Sequence, residues 1–140
     1  MTSSRNELAS SASGIWETIH ETLFTDDQLK DLSSFKSGPL NFRIALWDPE
    51  FRGPLYLKTL LHELCGSLSE ANWQALSKVK NRDFGKPITV KYQGQEACLD
   101  YIQAVLELES IAQHVGLEGL DILEIGSGYG RTSHTILTNA

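Results

Sequence analysis

The run Leu120-Asp121-Ile122-Leu123-Glu124-Ile125 passes directly into Gly126-Ser127-Gly128-Tyr129-Gly130, and a helical pattern then carries on to Leu137. A short, mostly apolar run that stops at glycines predicts a buried parallel strand rather than a half-exposed one. Strand, glycine turn and helix, in that order, form the context in which a glycine-rich turn binds a cofactor. Glycine serves twice in such a turn: it adopts the positive φ that a tight bend needs, and its bare backbone lets a ligand come close. The helix that follows offers unsatisfied N–H groups at its positive end, suited to a carboxylate or another electron-rich group.

The spacing of the glycines bears on which cofactor that is. They fall as G-x-G-x-G, whereas a dinucleotide fingerprint needs G-x-G-x-x-G or A, and Arg131 stands where the last small residue would allow close packing. Glu124 lies two residues before the loop. A carboxylate there repels a pyrophosphate but attracts the ammonium and sulfonium groups of S-adenosylmethionine. No Gly-Lys-Ser or Gly-Lys-Thr follows, which excludes a P-loop. The pattern suits a cationic, phosphate-free nucleotide derivative.

Upstream, most apolar residues keep a helical period. Residues 1–13 are small and polar and read as a flexible lead-in. Ile15, Ile19 and Leu23, with Trp16 beside them, predict a helix over 15–24, and Thr25 to Gln28 form a capping pattern for a second helix that Gly38 and Pro39 end. Residues 40–53 fit no single period. Pro54 and the stripe Leu57, Leu60, Leu61 and Leu64 predict a helix over 54–65. Ser67 to Glu70 offers another capping box, ahead of a helix that carries Leu68, Trp73, Leu76 and Val79 to about Lys80. Ile88 to Tyr92 alternates as a short strand before a turn at Gln93 and Gly94. The longest helix is expected over 97–115, with Leu99, Ile102, Val105, Leu106 and Ile111 on one face and Asp100, Gln103, Glu107 and Glu109 on the surface. Glu107, Glu109 and Glu118 read as a solvated face rather than a catalytic pair.

Composition narrows the partners. In 140 residues, 18 acidic against 12 basic side chains leave a net charge of −6, which argues against nucleic acid, since a phosphate backbone demands clustered Lys and Arg. Cys65 and Cys98 lack the paired spacing of a redox or zinc site and read as buried small hydrophobes. His20, His62, His114 and His134 share no metal-ligand spacing, so no metal site is expected, although His134, one turn into the last helix, stands near the expected cofactor pocket. No apolar run is long enough to span a bilayer and no signal-peptide core opens the chain, so a cytoplasmic location is the default expectation.

Leu123-Glu124-Ile125-Gly126-Ser127-Gly128-Tyr129-Gly130-Arg131 resembles motif I of the class I, Rossmann-like S-adenosylmethionine-dependent methyltransferases. The Gly-Tyr-Gly-Arg ending, with Trp16, Asn41-Phe42-Arg43 and Phe84-Gly85-Lys86-Pro87 upstream, is also similar to a group of sugar O-methyltransferases that carry a helical region ahead of the catalytic core. The resemblance implies S-adenosyl-L-methionine as cofactor, lined by Glu124, Gly126, Gly128 and Gly130, with Ser127 and Tyr129 adding backbone or edge contacts. It implies a small-molecule substrate, a sugar or another hydroxyl compound, and leaves the catalytic residues unassigned. The expected fold class is a mainly α N-terminal region followed by the first β-α unit of a Rossmann-like α/β methyltransferase core, which is incomplete here. The expected division is a lead-in at 1–13, a helical cap region with a short strand or hairpin at 14–96, and the start of the Rossmann-like domain at 97–140. The helical region would cover the substrate side or form a homodimer. The later strands of such a core, with the acid that holds the ribose, are missing from the sequence, so the chain alone is expected to be an inactive fragment. Two alternatives stay open at this stage: a fragment of a dinucleotide-dependent Rossmann oxidoreductase, and a non-catalytic helical interaction module.

Overall fold

The computed structural model describes residues 14, 18, 21, 22, 26–37 and 53–140. The lead-in at 1–13, the apolar face of Ile15, Trp16, Ile19 and Leu23, the helix end at Gly38 and Pro39, and residues 40–52 with Asn41-Phe42-Arg43 lie outside the described residues. Gly14, Thr18, Glu21 and Thr22 are helical.

The elements that follow are α1 (Asp26–Lys30), α2 (Gly53–Ser67), α3 (Glu70–Lys78), β1 (Thr89–Tyr92), β2 (Gln95–Cys98), α4 (Leu99–Ala112) and α5 (Arg131–Asn139). They make a small α/β protein. Helix α1 stops well short of Gly38, because the Asp31 side chain accepts the Ser33 N–H at 2.9 Å and turns the chain into a run of tight bends over 33–37.

Helix α2 buries Leu57, Leu61 and Cys65, spaced four apart, with Leu60 and Leu64 half-buried beside them, so the expected stripe is the inward one. The helix runs on through Ser67, whose hydroxyl donates to the Leu64 carbonyl at 2.8 Å. The capping box therefore forms later than expected. Ser69 Oγ accepts the Asn72 N–H at 3.1 Å, and Asn72 Oδ1 accepts the Ser69 N–H at 3.0 Å.

Strands β1 and β2 form an antiparallel hairpin with Thr89 opposite Cys98 and Tyr92 opposite Gln95. Gln93 and Gly94 both have positive φ, +47° and +84°, the two-residue geometry that matches strand twist. Ala97 and Cys98 were expected to start the long helix; they end β2 instead, because pairing with Val90 and Thr89 satisfies their backbone first. The core joins α2, α3, α4 and the hairpin around Leu57, Leu61, Leu76, Ile102 and Val105, all about fully buried. Trp73 stacks on Tyr92 with ring centroids 5.7 Å apart. Cys65 and Cys98 are free and buried.

Helix α4 turns Leu99, Tyr101, Ile102, Ala104, Val105 and Leu108 inward, while Leu106 is exposed and Ile111 half-buried. Asp100 was expected on the surface and is 3% exposed. Helix α5 packs on α4 and α3 through Thr135 and Ile136, and Asn139 Nδ2 reaches the Ala75 carbonyl at 3.3 Å.

The expected buried strand at 120–125 is not one. These residues form no ladder with any described segment, and Leu123 and Ile125 are 85% and 89% exposed. A parallel strand needs neighbours on its edges and helices on its faces. The sheet among the described residues is the hairpin alone, whose register is complete without this segment.

Candidate functional site

The six residues expected to line a cofactor lie together in the approach to α5. Gly126, Gly128 and Gly130 have φ of +74°, +57° and +78°, and the Gly130 N–H donates to the Ser127 carbonyl at 2.8 Å, closing a tight turn. An ideal Cβ at Gly126, Gly128 or Gly130 meets no atom within 4 Å, so the glycines are required by backbone conformation and leave open space along the loop. Because Gly130 is left-handed, α5 begins at Arg131, two residues after the expected start at Tyr129.

Glu124 reaches around this loop to the helix it precedes. Its Oε2 accepts the Ser133 N–H at 3.1 Å and a hydrogen bond from the Ser133 hydroxyl. A carboxylate at the positive end of α5 satisfies an N–H that the helix itself leaves unpaired. Glu124 thus fills the anion-seeking place of the helix start, and is half-buried.

The first turn of α5 is fastened to α4. Arg131 donates to Glu107 Oε1 at 2.9 Å and to the Asp100 carbonyl at 3.1 Å, while the Thr132 hydroxyl donates to Glu107 Oε2 at 2.9 Å. Glu107 is therefore part of a structural anchor, while its side chain stays 41% exposed. Arg131 is committed to the same anchor, its side chain only 11% exposed. His134 Nδ1 lies 3.0 Å from the Tyr101 hydroxyl, which holds the histidine against α4.

Tyr129 brings in residues that the sequence did not mark. Its ring meets the Phe35 ring at 5.3 Å in an edge-on arrangement, and the Lys36 ammonium lies 5.1 Å from its centroid. Lys36 is 2% exposed; its ammonium donates to the Arg82 carbonyl at 3.2 Å and its backbone N–H to the Gly85 carbonyl at 3.0 Å. Phe35 also packs against Phe84 and covers Gly85, where an added Cβ would fall 2.5 Å from the Phe35 ring. Two segments singled out in the sequence, the glycine loop and Phe84-Gly85, are thus joined through Phe35 and Lys36. Periodicity carries no signal for this pair, because they sit in a bend rather than on a helical face.

Burial shapes the acid–base character of this corner. It pulls the Lys36 ammonium below its ordinary range, with the charges of Cys98, Asp100 and Asp83 opposing the shift. Burial pushes the hydroxyls of Tyr101 and Tyr129 up, and the Asp100 charge adds to both. The Cys98 thiol is also raised, chiefly by burial.

A cleft of about 240 Å³ is lined by Lys80, Arg82, Asp83, Glu96 and Cys98 among others, and takes in none of residues 124–130. Among the described residues no three His, Cys, Asp or Glu side chains gather as a metal site. No described helix is long and apolar enough to cross a membrane. The chain matches no known protein family, no curated protein and no solved structure.

Proposed function

We infer that this chain carries the S-adenosylmethionine-binding segment of a class I O-methyltransferase acting on a sugar or another small hydroxyl compound. The observation that carries the reading is the succession of three left-handed glycines in open space, directly ahead of a helix start and behind a carboxylate. Such a loop lets a ligand approach bare backbone. Gly126, Gly128 and Gly130 would hold the cofactor, with Glu124 supplying negative charge at the loop and Tyr129 an aromatic wall. The fit of Glu124 requires its carboxylate to serve the cofactor from its place beside Ser133, or to exchange partners when the cofactor arrives.

S-adenosylmethionine, when bound, supplies an electrophilic methyl group. The contribution of the protein is to bring the acceptor hydroxyl in line with it and to exclude water. A base is needed where that hydroxyl must lose its proton, and no described side chain is nominated for it. The N-terminal region would cover one side of the site or form a homodimer, and the contacts of Phe35 and Lys36 with Tyr129 of the loop support the covering role.

The test is an amide-resolved NMR titration with S-adenosylhomocysteine. Shifts confined to Gly126–Arg131 and Ser133 are expected, whereas equal or larger shifts with a nicotinamide dinucleotide, or none with either ligand, would sink the reading.

A further inference from the structure

The cleft of about 240 Å³ gathers two cations, Lys80 and Arg82, and two carboxylates, Asp83 and Glu96. Its lining comes from two segments. One is the chain leaving α3, where Asn81 adopts φ +56° and Lys80 and Arg82 both reach the cleft from either side of that left-handed bend. The other is the hairpin, where strand alternation and the pairing of Thr89 with Cys98 put Thr89, Glu96 and Cys98 on one face. Val79, Ala97 and Cys98, all buried, complete the lining.

Opposite charges around so small a space would ordinarily pair with one another, and these do not. The ion pairs among the described residues are Lys30–Asp27 and Arg131–Glu107, neither of them in the cleft, and Lys91, opposite Glu96 in the ladder, joins none. The end of α3 holds the cations instead. Lys80 Nζ donates to the Ser77 carbonyl at 3.2 Å, and Arg82 Nη1 donates to the Leu76 carbonyl at 3.0 Å. An ammonium has three N–H donors and a guanidinium five, so both side chains keep donors to spare. Two positive and two negative groups also set the sign of what can bind. An ion of one charge gains from one pair what it loses to the other, whereas a molecule carrying both charges meets a partner for each. Asp83 lends its charge to Lys36 as well, which leaves Glu96 as the acid for a ligand's ammonium. The volume lies below the roughly 300 to 1,000 Å³ of clefts that take drug-sized ligands, so the ligand is small.

We propose that this cleft binds a free α-amino acid with a short side chain, its carboxylate received by Arg82 and Lys80 and its ammonium by Glu96. The cleft shares no residue with the glycine loop, and the proposal stands apart from the methyltransferase reading.

The probe is L-alanine, titrated into the full chain beside propionate and ethylammonium, which carry one of its two charges each. Saturable shifts of the backbone amide resonances of residues 80–83 and 96–98 are expected with L-alanine, and binding about tenfold or more weaker with either single-charge probe. Glu96 is exposed, so Glu96→Gln should leave the fold intact and bring L-alanine down to the affinity of propionate. Arg82→Gln should bring it down toward that of ethylammonium. Because Arg82 also holds the end of α3, Lys80→Gln takes its place should that variant not fold, with a loss of about threefold expected. Propionate binding as tightly as L-alanine would mark an anion site, and ethylammonium doing so a cation site. Either result overturns the proposal, as does unchanged L-alanine affinity in Glu96→Gln or the absence of saturable shifts with L-alanine.

Discussion

Glu124 and Ser133 are joined across the glycine loop by two hydrogen bonds to a single carboxylate oxygen, one from the serine N–H and one from its hydroxyl. The residue before the turn thereby closes the first turn of the helix after it, so loop shape and helix start are one mechanical unit. Glu124→Ala is expected to cost about 1 kcal/mol, the usual loss for a helix cap. Glu124→Gln, which keeps an acceptor, should cost less. Urea unfolding followed by circular dichroism checks both, and an unchanged midpoint in the alanine variant would show that the carboxylate is not a cap.

Two left-handed glycines should respond differently to alanine. Gly130 has φ +78° and nothing near its would-be Cβ, so Gly130→Ala meets only backbone strain of about 1 kcal/mol. Gly85 has φ +84° and the Phe35 ring at 2.5 Å, so Gly85→Ala must also push the ring off its place between Tyr129 and Phe84. We expect about 2 kcal/mol or more there. The same unfolding assay distinguishes them, with Phe35→Ala expected to reduce the Gly85→Ala penalty.

Leu123 and Ile125 are 85% and 89% exposed, so replacing either by Lys should change stability by no more than about 0.5 kcal/mol. An exposed, extended apolar run is also a template for pairing with other chains. Static light scattering should therefore show less self-association in Leu123→Lys or Ile125→Lys than in the unaltered chain. A loss of several kcal/mol on either replacement would mean that the run is buried in the folded state.

Alkaline pH should destabilise the fold. The Cys65 and Cys98 thiols, ordinarily titrating at 9.0, and the Tyr101 and Tyr129 hydroxyls, ordinarily at 10.0, are all raised in the folded chain, chiefly by burial. Above those ordinary values the unfolded chain has released protons that the folded chain still holds, so stability falls as pH rises from about 9 upward. Lys36 acts in the opposite direction, because its lowered value lets the folded chain release a proton before the unfolded one does, below 10.5. Tyr129, the group raised furthest, sets the direction of the net change. Tyr129→Phe should make the alkaline decline shallower, as measured by denaturant midpoints between pH 8 and 11 set as about the accessible range; a decline as steep as that of the unaltered chain would contradict the assignment.

Repeating apolar spacing was enough to locate α2, α3 and α4, because helical geometry makes neighbours of residues three and four apart before any tertiary contact exists. Gly126, Gly128 and Gly130 were equally legible, since a left-handed backbone is a local requirement that few other residues meet. Three things were decided only when the chain closed on itself. The run 120–125 has strand-like composition but is exposed, because a strand exists through partners, and those are not local. Cys98 and Ala97 joined β2 rather than α4 once β1 lay beside them. Asp100 was expected on the surface and Lys36 carried no sequence signal, and both became buried at the candidate site because the bend at 33–37, the turn at 82–85 and Tyr129 converge on the first turn of α4. Charge burial depends on what arrives from distant sequence, and no local pattern encodes it.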